Sequence, residues 1–328
     1  MLGALLALLS AASFALNNAA MRRGVVTGSA IQGMSISVPA GVVCFLPILV
    51  ATGEIGRLAA FPPAAAAWMA GLGVVHFIIG RYGNYRANQA AGVNLTAPVV
   101  QLQVVVTLVL AVVILREPCT LLQGIGGAMI VAGSLITQRQ SGRARATGQR
   151  SSTRSAIFVP RHLAGYAFAS LAALAYGTSP IMARFALADT GPATGIAGGL
   201  ISYAAATLVV GMALLLPSVR CNVLSLKADN ARWFAASGVF VAMAQGFFFA
   251  AVSVAPILLV VPILQFSLVF RILFSTWLSR DYELFGPLVI AGTAVCLAGS
   301  LIVAIDTDLL LGWLAVPETL ARPLRWRL

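Results

Sequence analysis

Long apolar stretches, each interrupted by a short cluster of charges or turn residues, run through almost the whole chain. Crossing a hydrocarbon core takes about 20 apolar residues as a helix. Ten stretches of that order can be traced: Leu2 to Met21, Ser29 to Ala51, Ala65 to Ala87, Val93 to Leu115, Leu121 to Thr137, His162 to Phe185, Ala193 to Leu216, Arg232 to Ala251, Pro256 to Leu278 and Phe285 to Ile305. Barrel strands would alternate apolar and polar positions over about ten residues, whereas these stretches are continuous and rich in Leu, Ala, Val and Gly. The pattern therefore predicts helices. Pro39, Pro47, Pro98, Pro180, Pro256 and Pro262 fall inside or at the ends of stretches; neighbouring helices can satisfy the backbone bonds they remove.

Composition turns these helices into membrane helices. Of 328 residues, 60% are hydrophobic and 9% charged, against about 25% charged in soluble domains. The expectation is an all-α integral membrane protein, multi-pass in the cell inner membrane, with lipids as its surroundings. Met1 to Ala20 lacks the basic segment of a secretory signal and reads as the first helix, a cleaved signal being the alternative. The net charge of +12 comes almost wholly from arginine, Lys227 being the sole lysine. Most arginines stand at the ends of stretches, where they can reach lipid phosphates. No basic stripe interleaved with stacking aromatics is present, so nucleic acid is not an expected partner. Cys44, Cys119, Cys221 and Cys296 form no C-x-x-C pair and read as small apolar residues, with no metal site and no cofactor expected.

Residues 138–161 form a polar connector with six arginines and no acid. The sequence on its two sides repeats. Ala132 to Ile136 and Ala298 to Ile302 both read AGSLI, and at the same offset of 166 Gly126 matches Gly292 and Glu117 matches Glu283. Pro98 and Gln101 match Pro262 and Gln265 at an offset of 164, and Met21 and Arg23 match Met182 and Arg184 at 161. The expected organisation is a first five-helix repeat over 1–137, the connector, a second five-helix repeat over 162–305 and a tail over 306–328. That tail, with Trp313 and Trp326 among arginines, suits an interfacial helix or a disordered end. An odd number of crossings per half inverts the second half, giving ten transmembrane helices as two inverted five-helix repeats, an arrangement in which secondary transporters place their site at the repeat interface.

Leu115-Arg116-Glu117-Pro118, then Gln123-Gly124-Ile125-Gly126 and Ala132-Gly133-Ser134, resemble the drug/metabolite transporter superfamily and its EamA-type members in particular. The second half is similar more loosely, with Arg280-Asp281-Tyr282-Glu283, Gly292 and Ala298-Gly299-Ser300. The resemblance covers about residues 2 to 304. It implies a transporter of amino acids, other metabolites, sugar phosphates or drugs, with both termini cytoplasmic. The basic connector pulls the other way under the positive-inside rule, and the orientation stays open.

Arginine near a helix centre is unfavourable by about 2.5 to 3.5 kcal/mol on insertion scales. Arg81 and Arg271 lie well inside the third and ninth stretches, and no Asp or Glu lies deep in any stretch. Each could grip a substrate carboxylate or phosphate through paired hydrogen bonds, or bond backbone carbonyls and snorkel. Asn17, Asn18, Gln101, Gln103, Thr178, Ser179, Gln245 and Gln265 are the other polar residues at helix depth. Individually they suit interhelical hydrogen bonds; together they suit a polar cavity lined by both halves. Asn84 and the aromatic Tyr82 and Tyr85 stand beside Arg81 and could line the same space, as could Trp68 and Phe247 to Phe249. His76 is too isolated to read as a metal ligand. No P-loop, zinc-protease or nucleophile-elbow pattern occurs, so the chain is not expected to be an enzyme. The expected function is secondary transport of a small organic metabolite by alternating access, with an anionic metabolite as the leading reading. Amino acids or other neutral or zwitterionic solutes, or a non-transporting scaffold, are the alternatives.

Overall fold

The computed structural model describes all residues except 26, 92–95, 97–98, 117–118, 147–160, 189, 268, 271–272, 275–286 and 327–328. No strand occurs among the described residues. The first apolar stretch forms α1 (Leu2–Val25), and the second forms α2 (Ala30–Ser37) and α3 (Pro39–Ala51). Ser29 opens α2 with a reciprocal cap: its hydroxyl accepts from the Gln32 N–H, and the Gln32 side-chain oxygen accepts from the Ser29 N–H. Two donors that a helix start leaves open are thereby satisfied. Pro39 has no N–H to continue the ladder, and α2 gives way to α3 at Val38.

A short 3₁₀ turn, Glu54–Leu58, leads into a rod made of α4 (Pro63–Leu72), a π-helical segment Gly73–Gly80 and α5 (Arg81–Ala91). Then come α6 (Leu102–Val113), α7 (Leu121–Ala146), α8 (His162–Leu187), α9 (Pro192–Ala213) and the short α10 (Pro217–Leu224). The chain continues through α11 (Ala228–Val252), α12 (Ile257–Leu264), α13 (Pro287–Ala304), α14 (Thr307–Trp313) and α15 (Glu318–Leu324). The fifth stretch is longer than its apolar pattern, since α7 continues as helix from Thr137 to Ala146 into the basic connector.

Among the described residues, five segments are long and apolar enough to cross a membrane: Leu2–Val25, Ala30–Ala51, Pro63–Ala90, Ala193–Ala213 and Ala228–Val252. A sixth is added if the pair Ile290–Val303 and Thr307–Trp313, bent by 116°, is one span. Leu102–Val113 and Leu121–Gly133 are apolar but shorter. The sequence pattern counted ten crossings. Part of the difference lies in the fourth and ninth stretches, which run partly outside the described residues. Part lies in α8, which is 26 residues long but has its hydropathy lowered by Tyr176, Thr178, Ser179 and Pro180. Pro98 and Glu117 also fall outside the described residues.

The helices pack closely where small residues meet. α1 runs along α11, and α7 along α13; α8 lies against the rod and α6, and α9 against α3 and α11. At the α7–α13 crossing, a Cβ on Gly126 would stand 2.7 Å from the Gly299 carbonyl oxygen. One on Gly299 would stand 2.5 Å from the Gly126 oxygen, and one on Gly133 2.5 Å from the Gly292 oxygen. Only glycine permits this approach, and dispersion between the two backbones holds it in a solvent that offers no hydrophobic gain. Between these glycines the Cys296 thiol donates to the Ile130 carbonyl at 3.2 Å. The Ser10 hydroxyl of α1 donates to the Ala244 carbonyl of α11 at 2.7 Å.

The tail is folded. Asp306 caps α14, accepting from the Asp308 and Leu309 N–H groups at 3.0 and 3.1 Å. Arg325 bridges Asp308 and Glu318, both at 2.6 Å, tying α14 to the end of α15. The Trp326 carbonyl accepts from the Leu121 N–H at 2.8 Å, and the Thr120 and Thr307 hydroxyls meet at 2.6 Å. Leu309, Trp313, Leu314 and Trp326 stay exposed, as suits two short helices lying in a lipid interface.

Candidate substrate cavity

The wide turns of the π-helical segment lie between two close contacts. A Cβ on Gly73 would stand 2.1 Å from the Ser202 carbonyl oxygen, and one on Gly80 2.6 Å from the Tyr176 ring. The α9 backbone can therefore press against one end of the segment and the Tyr176 ring of α8 against the other, and His76 between them faces inward. π-Helical turns are rare and recur at functional sites. Here the turn borders a cavity of about 190 Å³ between the helices.

Arg81 lines this cavity and is 5% exposed. One guanidinium nitrogen donates to the Ser37 hydroxyl at 2.9 Å, and the cation lies 5.3 Å from the Phe77 ring centre. Phe77 in turn stacks on Tyr203 at 4.0 Å. The Tyr203 hydroxyl faces the same guanidinium without reaching hydrogen-bond geometry with any group. Among the described residues no carboxylate lies within ion-pair distance of Arg81, and none lines the cavity. A guanidinium carries five N–H donors, so most of its capacity is unspent.

Around Arg81 the wall is a ring of carboxamides and hydroxyls. Asn17, Asn18, Asn84, Tyr85, Gln101, Gln103, Ser179, Gln245 and Gln265 all line the cavity, together with Arg81. Gln101 Nε2 donates to Gln265 Oε1 at 3.1 Å, joining α6 to the region just after α12, and Gln103 Nε2 lies 3.4 Å from Gln101 Oε1. The Ser237 hydroxyl donates to Asn17 Oδ1 at 2.6 Å. Two expected residues lie outside the lining. The Thr178 hydroxyl turns back to the Leu174 carbonyl at 2.8 Å, because a helical Thr can satisfy itself one turn earlier. Tyr82 packs edge-on against Phe168, 6.1 Å between centres. Arg271 lies outside the described residues. Trp68 stacks on Phe185 at 5.0 Å on the lipid side, being 43% exposed, while Phe248 does line the cavity.

The structure adds His76, Tyr176, Asn88 and Thr107 to the wall. The Thr107 hydroxyl donates to the Gly177 carbonyl at 2.8 Å, and Asn88 accepts from Thr96 at 2.6 Å. Asn88 could have been found in sequence, since it follows Asn84 by four residues and so shares its helix face. His76 could not, because its partners are 103 and 169 positions away.

Residues 1–139 match the EamA-like transporter family. The first part of the chain is EamA-like. That family belongs to the drug/metabolite transporter superfamily, and its members are membrane transporters of small solutes. One solved structure, described only as the crystal structure of a protein, is similar with a TM-score of 0.62 at 15% identity. The likeness covers 96% of this chain and 98% of that one, and at that identity it speaks for the fold alone. No curated protein matches the chain significantly. The EamA-like part supplies Asn17, Asn18, His76, Arg81, Asn84 and Tyr85 to the cavity, with Gln101 and Gln103. Tyr176, Ser179, Gln245 and Gln265 come from the remainder of the chain.

Proposed function

We propose that this protein is a secondary transporter of the cell inner membrane that moves a small organic anion by alternating access. The observation that carries this reading is Arg81, 5% exposed in the cavity wall with no carboxylate partner among the described residues. A buried cation needs a counter-charge, and a carboxylate or phosphate group entering the cavity would provide it through charge-assisted hydrogen bonds. The carboxamides would hold the rest of the solute. A zwitterionic amino acid could place its carboxylate on Arg81, but its ammonium would meet amide oxygens and aromatic faces with no acid among the described lining residues. The open cavity disfavours a purely structural scaffold. Arg271 remains a second candidate clamp on its sequence position.

The architecture proposed with this function is ten helices in two inverted repeats, 1–137 and 162–305, joined by 138–161. A two-fold relation requires equivalent residues to meet each other or to make paired contacts. Gln101 touches Gln265, its match at 164, and Ile130 touches Cys296, its match at 166. Gly126 meets Gly299 while Gly133 meets Gly292, each contact being the image of the other. The packing of α1 on α11 and of α8 on the rod forms a further pair. These coincidences support the reading, as does the EamA match over 1–139.

Proteoliposomes test it. Labelled carboxylates should cross membranes carrying the wild-type protein faster than empty ones, and Arg81→Gln should remove most of the difference. Transport of amines or uncharged solutes alone, unchanged in Arg81→Gln, would reject the anion reading.

A further inference from the structure

His76 sits in a chain of hydrogen bonds whose direction can be read. The Ser179 hydroxyl has one proton, and it is spent on the Ala175 carbonyl at 2.6 Å. Ser179 Oγ must therefore accept from His76 Nδ1–H at 2.9 Å. That leaves His76 Nε2 as the acceptor, and Gln245 Nε2 stands 2.7 Å from it, donating. The structure thus holds His76 neutral with its proton on Nδ1, between α8 on one side and α11 on the other. The ring is not sealed away, since it lines the cavity beside Arg81.

We propose that His76 is a proton-binding site coupled to the anion site at Arg81, so that a proton crosses together with the anion. This rests on the anion reading above. A proton from cavity water would add to Nε2, giving imidazolium, and both ring nitrogens would then be donors. Ser179 needs no change. Gln245 must turn its amide so that Oε1 replaces Nε2 as the partner, which rewrites the bond between the rod and α11. The titratable and charged groups facing the π-helical segment are Arg81 and Tyr85 from α5, Tyr176 from α8, its ring 4.7 Å from His76, and Tyr203 from α9; α4 and α11 contribute none to the wall. Without a bound anion, imidazolium and guanidinium repel each other, with no carboxylate among the described wall residues. With an anion between them, each cation gains a counter-charge. Binding of proton and anion must then strengthen each other by the same factor.

The chain has two histidines, so His162→Gln leaves His76 as the single source of imidazole signals from ¹⁵N-histidine-labelled protein. Without ligand, the spectrum should show the neutral Nδ1–H tautomer. With saturating lactate or benzoate, imidazolium should appear between about pH 8 and about pH 5.5, the range in which histidine changes charge. The affinity for the same two probes should rise about 5- to 150-fold over that range, as is typical of coupled sites. In His76→Gln, binding should persist and lose this dependence. An Nε2–H tautomer in the ligand-free protein would overturn the proposal. So would Arg81-dependent binding that is equally strong at both pH values, which would leave the anion reading intact. If neither carboxylate binds at any pH, the anion reading falls and the proton site with it.

Discussion

A single methyl group at the α7–α13 crossing should loosen the protein measurably. In Gly126→Ala the new Cβ would lie 2.7 Å from the Gly299 carbonyl oxygen and 2.9 Å from Val303 Cγ2. Ordinary contact begins at 3.4 Å, and the carbonyl belongs to a helix backbone that cannot swing aside. The helices would have to part by about 0.7 Å there, and by about 0.9 Å in Gly299→Ala. Overpacking of this kind costs about 1 to 3 kcal/mol, offset by about 0.5 to 1 kcal/mol because alanine suits a helix better than glycine. Gly211 in α9 has nothing within 4 Å of its would-be Cβ, so Gly211→Ala should show the helix gain alone. Thermal unfolding in detergent, followed by near-ultraviolet circular dichroism, should place Gly126→Ala below the wild type and Gly211→Ala at or above it. The double variant Gly126→Ala, Gly299→Ala should lose less than the two single losses combined, because one methyl already parts the helices for the other. If Gly126→Ala tracks Gly211→Ala, the backbones do not meet as described.

Three further outcomes are expected. Arg81→Gln should weaken carboxylate binding by about 10- to 100-fold, since hydrogen bonds to charged groups contribute about 1.5 to 3 kcal/mol; Arg81→Lys, which keeps the charge and loses the fork, should fall between, as read by isothermal titration. Ser29→Ala removes the α2 cap and the 2.6 Å bond to Asn222 and should lower stability by about 1 kcal/mol, with Ser29→Asp retaining the cap in the same unfolding assay. Arg57 lowers the Glu54 carboxyl below its ordinary value of 4.5, chiefly by hydrogen bonding. Its contribution is present above that value and lost as pH falls through the lowered one, but the pair is exposed, so Glu54→Gln should leave the acid limb of the stability curve unmoved.

The apolar stretches made the helices legible because the bilayer demands length and continuity, and α1, α9 and α11 follow the pattern to within a few residues. The rod is where the pattern stopped short. Nothing in Gly73 to Gly80 announces a π-helical turn, since the turn depends on Ser202 and Tyr176 pressing against its two glycines. The polar residues at helix depth are visible one by one in the sequence, and their meeting at one cavity is read from the packing of the helices. Thr178 lies outside that wall for a local reason, its hydroxyl being satisfied within its own helix. His76 was passed over because an isolated imidazole gives no spacing to read, and its significance comes from Ser179 and Gln245 on distant helices.

The Gln101–Gln265 bond has a property that neither glutamine has alone. In the proposed inverted-repeat architecture Gln101 and Gln265 are equivalent amides, and two such amides cannot share one hydrogen bond evenly: one must donate, and here it is Gln101. If the halves exchange conformations as alternating access requires, the same bond reforms with Gln265 as donor, so this contact is isoenergetic at both ends of the cycle. The neighbouring contact has no such freedom. Cys296 can donate to Ile130, but isoleucine has no side-chain donor to return the favour, so one end of the cycle carries a hydrogen bond that the other lacks. On the proposed two-repeat architecture, the first contact is a symmetric latch and the second an asymmetric one. The second is where a resting state of that proposed cycle would acquire a preferred side.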